Sequence, residues 1–214
     1  MLTKEMIEKN KNTFIRLLRE KVGYKRQGVE ELINYLENET DFFTAPASTQ
    51  YHCNYEGGLC FHSIHVVENL MTLCSMYMTE EEFNNKTDSI FLVALLHDIS
   101  KCNYYESYMQ NKKIYSPNGL KSDNGGKFDW VSVPAYKVID GNSRFVASTH
   151  CVNSALIISR FIKMTEEETI SIMNHHGGFD NTDNRDLTFV YNRYSLCVLL
   201  HMSDMLSTYI IERV

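Results

Sequence analysis

The sequence predicts an all-α helical bundle interrupted by a small β-hairpin insert at about residues 102–145. Three observations carry this expectation. Apolar residues recur at helical spacing over most of the chain. Residues 102–144 break that spacing and hold the turn signals Pro117-Asn118-Gly119 and Asn124-Gly125-Gly126 between Tyr- and Trp-rich runs. The last predicted helix is apolar on nearly every face, the pattern of a helix inside a protein. With 214 residues, 43% of them hydrophobic and 22% charged, the chain suits a globular domain that folds without disulfides.

Each element has its own signal. Thr3 caps a first helix bearing Ile7, Phe14, Leu17, Leu18 and Val22, which Gly23 stops. A short second helix covers about 29–36. An extended aromatic segment, 42–48, leads to Gly57-Gly58. The third helix, about 59–76, carries His62, Val66 and Leu70 at i, i+4, i+8 on its apolar face. The fourth, about 89–100, places Ile90, Val93, Ala94, His97 and Lys101 on one face. Beyond the insert, a fifth helix spans about 149–162. The capping box Thr165-Glu166-Glu167-Glu168 opens a sixth that runs to about Asn174, with Gly177-Gly178 beyond it. The last helix is expected at about 191–212. Together these make one domain over residues 1–214, with N-terminal helices at 1–40.

A net charge of −6 makes the chain a poor non-specific nucleic-acid binder. Within 102–144, six basic residues face four acidic ones, a net of +2 that leaves −8 for the rest. That contrast suits either an insert leaning over an anionic ligand or a solvated surface hairpin. The start of the chain lacks a basic-then-apolar signal layout, and the longest apolar stretches, 90–96 and 196–200, are too short to span a bilayer. The six cysteines form no Cys-x-x-Cys pair, so reduced thiols and a cytoplasmic location are expected.

The histidines carry the chemical signal. His62, His97, His150 and His175 each fall on or beside the apolar face of a different predicted helix. Asp98 follows His97, and Asp204 sits in the apolar last helix. A buried carboxylate costs several kcal/mol or more unless it is paired or bound to a metal. Two such acids among four imidazoles compose a transition-metal site, suited to Fe, Mn, Ni, Co or Zn.

The order His62 … His97-Asp98 … Asp204 resembles the ligand quartet of the HD phosphohydrolase superfamily. His97-Asp98-Ile99-Ser100-Lys101 is similar to its His-Asp-x-x-Lys signature, and Gly57-Gly58-Leu59-Cys60-Phe61-His62-Ser63 to its Gly-Gly-Leu-x-x-His-(Ser/Thr) run. His201-Met202-Ser203-Asp204 resembles the closing His-x-x-Asp, and His150 with His175-His176 matches the two-metal branches. The chain has Gly58 where trinuclear members carry a Glu, and Gly177-Gly178-Phe179 where one branch carries Gly-Tyr-Pro.

The resemblance implies an HD-type helical bundle with the insert outside it. It implies one divalent transition metal on His62, His97, Asp98 and Asp204, and a second on His150 and His175 with Asp98 bridging. The implied reaction is hydrolysis of a phosphoester, in a nucleotide or another small phosphorylated molecule, by a metal-bridged hydroxide. Lys101 would add positive charge at the phosphoryl group, and His176 would bind metal or serve as acid to the leaving group. His52 and His201 would support the ligands or face substrate, Ser154 would orient substrate or a ligand, and His65 would be structural. Two other readings share the same residues: a di-iron oxygenase, and a metal-bound module without catalysis.

Overall fold

The structure, a computed structural model, describes residues 1–180 and 184–213. It is mainly helical and carries one three-stranded antiparallel sheet. Helix α1 (Lys4–Leu17) starts where the Thr3 hydroxyl accepts from the Met6 N–H at 3.2 Å. It continues through a wider π-type turn, Leu18–Gly23, that buries Leu18 and Val22 and stops at the expected glycine. Helix α2 (Val29–Asn38) buries Val29, Leu32, Ile33 and Leu36, one apolar face in its own spacing. Helices α3 (Gly58–Tyr77), α4 (Glu80–Asn85) and α5 (Thr87–Leu96) follow. The short α4 has no buried residue, so apolar periodicity could not announce it; only the capping box from Thr79 to Glu82 marks it.

Helix α5 is the centre of the core. Every residue from Ile90 to Leu96 is buried, and α3, α7 and α9 pack around it. A helix without a polar face has no other stable place. Leu92 and Leu95 are wholly enclosed, and truncating either to Ala costs about 2–5 kcal/mol.

The expected helix at 89–100 ends early. His97 caps α5, Asp98 leaves the helical region at φ −106°, ψ 15°, and Ile99–Lys101 forms a 3₁₀ turn. The reason lies on α6 (His150–Ser159). The Ser100 N–H donates to Ser154 Oγ at 3.2 Å, and the Ser100 hydroxyl donates to the His150 carbonyl oxygen at 2.8 Å. These bonds draw the turn onto the start of α6.

The insert forms strands β1 (Tyr105–Tyr115), β2 (Lys121–Asp123) and β3 (Gly126–Val138) in the order β1-β3-β2. Tyr105 pairs with Val138 at its base and Tyr115 with Phe128 near its tip. A third strand was not expected; it arises because Lys121 doubles back to pair with Phe128. Phe128 is the one buried apolar residue of these strands. The accessible surface, 11938 Å², exceeds the ~10,000 Å² of a compact chain of this mass, because this ribbon is exposed on both faces.

Helix α7 (Glu166–Met173) opens with the expected Thr165–Glu168 capping box. The single last helix expected at 191–212 is instead α8 (Asn184–Arg193), α9 (Ser195–Leu206) and a π-type turn, Ser207–Ile211. The segments Arg185–Arg193 and Ser195–Ile211 meet at 108°. One side of α9 buries Leu196, Leu199, Leu200 and Asp204, while Tyr209, Ile210 and Ile211 are exposed, so this element is interior on one face only. Among the described residues no single helix is long and apolar enough to cross a membrane.

One buried ion-pair group fastens the helices. Arg26 donates to Asp88 at the start of α5 at 2.8 Å and to the fully buried Glu168 of α7 at 2.6 Å.

Candidate metal centre

The glycines before His62 are required sterically. Gly57 has φ +79°, in the left-handed region. A Cβ at Gly58 would lie 2.0 Å from the Cys53 carbonyl oxygen. This tight turn starts α3 so that His62 stands one turn in, and it leaves no room for a carboxylate at position 58.

His62, His97, Asp98, His150, His175, His176 and Asp204 converge. His62 Nε2 lies 3.2 Å from Asp204 Oδ1, 3.3 Å from His97 Nε2 and 3.8 Å from Asp98 Oδ2. His97 Nε2 is 3.4 Å from the same Asp98 oxygen. On the other side, Asp98 Oδ1 lies 3.6 Å from His150 Nε2 and 3.5 Å from His175 Nε2. His150 Nε2 and His176 Nε2 are 3.2 Å apart, and His176 Nε2 is 3.9 Å from Asp204 Oδ2. Donors about 2.0–2.2 Å from one ion stand roughly 3.0–3.6 Å from each other. These buried His and Asp groups are therefore close enough to hold a metal ion. Asp98 turns one oxygen toward each half of the cluster.

The imidazoles are aimed. The Nδ1–H of His97 donates to the Ala94 carbonyl at 2.9 Å, and that of His175 to the Ile172 carbonyl at 2.7 Å. A carbonyl oxygen only accepts, so in the neutral rings each Nε2 keeps its lone pair toward the cluster. Glu212 does the same for His62, taking its Nδ1–H at 2.9 Å, and its other oxygen takes that of His65 at 2.7 Å. Ring anchoring of this kind accompanies metal-ligating histidines.

Electrostatics favour the same use. Burial pushes His150 down to about 3 and lowers His176 as well, so both are neutral near pH 7. Burial would raise Asp98, but the Lys101 ammonium and His97 hold it well below the usual carboxylate range. Burial would lower His62, but hydrogen bonds with Asp204 and Glu212 prevail and bring it to about 10. Without a cation, then, a proton occupies His62 Nε2 where a metal would bind. Asp98 Oδ1 is buried and has no hydrogen-bond partner, and coordination to a cation would satisfy it. The donor set and this orphaned oxygen fit a divalent transition metal.

A cavity of about 930 Å³ opens over the cluster, lined by His52, Lys101, His176, His201, Asp204 and Glu212, with Tyr51, Tyr104, Tyr105 and Phe179 among its walls. Lys101 is buried against Asp98 Oδ2 at 2.7 Å. His52 lines the cavity with both ring nitrogens unpartnered, and burial pushes it down to about 4. His201 also lines it, its Nδ1–H donating to the His175 carbonyl at 2.6 Å. Ser154 does not line the cavity. It is wholly buried, donates to Ser100 Oγ at 3.0 Å and braces the turn behind Asp98.

Sequence reasoning missed Glu212. Its one signal is the spacing of eight from Asp204, which keeps a helix face. Comparison with known protein families, with curated proteins and with solved structures found no match for this chain.

Proposed function

We propose that this chain is a metal-dependent phosphohydrolase of the HD type, acting on a nucleotide or another small phosphorylated molecule. The observation that supports it best is Asp98, whose two oxygens face two groups of imidazoles beneath an open cavity. His62, His97, Asp98 and Asp204 would hold one divalent ion, and His150, His175 and His176 with Asp98 a second. Bound divalent ions supply Lewis acidity toward phosphoryl oxygens and lower the pKa of water. The remaining roles belong to the chain. Lys101 keeps a buried positive charge beside Asp98, where it offsets phosphoryl charge. His176 lines the cavity, and burial keeps its ring neutral, which suits a metal ligand or a base and not the acid to the leaving oxygen. The tyrosines of the cavity wall give the organic part of a substrate an apolar surface.

The test is metal analysis of purified protein, followed by phosphate release from nucleotides, short oligonucleotides and aryl phosphates with Mn²⁺, Ni²⁺ or Co²⁺ supplied. The expected result is about two equivalents of metal and phosphate release that persists without oxygen. Metal-loaded protein that consumes oxygen and releases no phosphate would overturn hydrolysis in favour of the oxygenase. Protein that takes up no metal would end the whole reading.

A further inference from the structure

The half of the cluster formed by His150, His175 and His176 contains a further donor that the ligand pattern does not include. Cys151 is wholly buried at the second position of α6, next to His150. Its Sγ lies 3.5 Å from His150 Nε2 and 3.8 Å from His175 Nε2. A tetrahedral ion with bonds of about 2.3 Å to sulfur and 2.0–2.1 Å to nitrogen sets its sulfur and nitrogen ligands about 3.5 Å apart and its nitrogens about 3.4 Å apart. The Sγ–His150 distance matches that requirement, and the Sγ–His175 separation of 3.8 Å and the His150–His176 separation of 3.2 Å come close to it. A second observation is independent of the cysteine. The orphaned Asp98 Oδ1 is aimed into this same half, within 3.6 Å of His150 Nε2 and His175 Nε2.

We propose that Cys151 is a thiolate ligand of the ion held by His150, His175 and His176. The inference rests on the reading of the cluster as a metal centre and goes beyond its phosphohydrolase chemistry. It divides the site into two unlike positions. The position at His62, His97 and Asp204 offers only imidazole and carboxylate. The position at Cys151 offers soft sulfur and selects Zn²⁺, Co²⁺ or Fe²⁺ over Mg²⁺ and Mn²⁺. On binding, the thiol proton leaves to solvent and a sulfur–metal bond forms, with no change of oxidation state. The start of α6 suits this, because a helix N-terminus favours the thiolate.

The experiment loads the full chain with Co²⁺ and with Zn²⁺. Sulfur bound to Co²⁺ gives a near-ultraviolet charge-transfer band. X-ray absorption of the zinc form should show a sulfur scatterer at about 2.3 Å. Both signals should vanish in Cys151→Ser and persist in Cys74→Ser, a buried thiol at the far end of α3. The Cys151→Ser protein should still bind metal at the other position, and its unchanged circular dichroism separates ligand loss from misfolding. Co²⁺ bound by the unaltered chain without the band, and Zn²⁺ without a sulfur shell, would overturn the proposal while leaving the metal centre standing. Absence of any metal uptake would overturn both.

Discussion

His62 and Glu212 lie 150 positions apart in the chain, yet the ring Nδ1–H of one donates to a carboxylate oxygen of the other at 2.9 Å, with both buried. This bond does two things. It turns His62 Nε2 toward Asp98 and Asp204, and it ties the end of the chain to α3. Burial raises the Glu212 carboxyl, but hydrogen bonds from His62 and His65 outweigh it and hold it below the usual range.

Glu212→Gln keeps an oxygen acceptor and removes the charge. It should leave the helical content unchanged and weaken metal binding by about 10–100-fold, the usual cost of disturbing a ligand's anchor. Competition against a chelator of known affinity measures it. An affinity within twofold of the unaltered protein would mean that Glu212 only fastens the C-terminal turn.

Asp98 and Lys101 form a buried pair at 2.7 Å, so the two must be varied together. Asp98→Ala strands the ammonium, a loss of about 3–5 kcal/mol for one partner of a buried pair. It should lower both the melting temperature and the metal content. Adding Lys101→Met removes the stranded charge and should recover most of the stability without recovering metal. Lys101→Met alone should keep its metal and lose phosphate release. Thermal melts and metal analysis of the three variants separate folding from chemistry.

Much of this architecture is written in residue spacing, and the rest is not for identifiable reasons. The cap at Thr3, the stop at Gly23 and the capping box at Thr165 are local signals, and each element starts or stops there. The His and Asp residues could be picked out because a polar group among apolar neighbours needs a partner. The break after Leu96 could not, because the bonds from Ser100 that pull the chain out of the helix reach α6, some fifty residues on. The run 191–212 reads as one apolar helix because nothing in its pattern marks the turn at Tyr194. Cys151 stayed hidden for a different reason. A cysteine among apolar residues is ordinary core, and only its distances to His150 and His175 set it apart.

Arg26 should matter to stability and not to chemistry. It bridges Asp88 and Glu168, which are both buried, and it lies away from the cavity lining. Arg26→Met should cost about 3–5 kcal/mol by leaving the buried Glu168 without a cation and Asp88 with Lys25 alone, while metal content is retained. The same pairing sets a pH response. Burial would raise Asp88, but hydrogen bonds from Lys25 and Arg26 lower it below 3.8. A group whose folded pKa is depressed contributes its stability above the unfolded pKa and loses it as pH falls through the folded one. The Asp88 contribution to the denaturant midpoint should therefore hold near neutrality and be lost below pH 3.8. In Arg26→Met the midpoint should be lower near neutrality and the fall below pH 3.8 shallower.

The ribbon's positive charge suggests contact with an anionic substrate, but its base and its tip have different surroundings. Tyr105 and Val138, at the base, line the cavity, and the Tyr105 hydroxyl donates to the Ala47 carbonyl at 3.4 Å. The lysines stand along the exposed strands, where Lys113 pairs with Asp123 at 2.6 Å and Lys137 with Glu106 at 2.9 Å. Lys112, Lys121 and Lys127 are exposed, so salt screens their charge within about 10 Å. Replacing these three with Gln should change the kcat/KM for phosphate release less than about twofold at physiological salt, as removal of solvated surface charges does. Tyr105→Ala removes part of the cavity wall and should raise KM about tenfold, equivalent to 1.4 kcal/mol of substrate binding, with metal content unchanged. A large loss from the lysine replacements, strongest at low ionic strength, would instead mean that the ribbon folds over the bound anion.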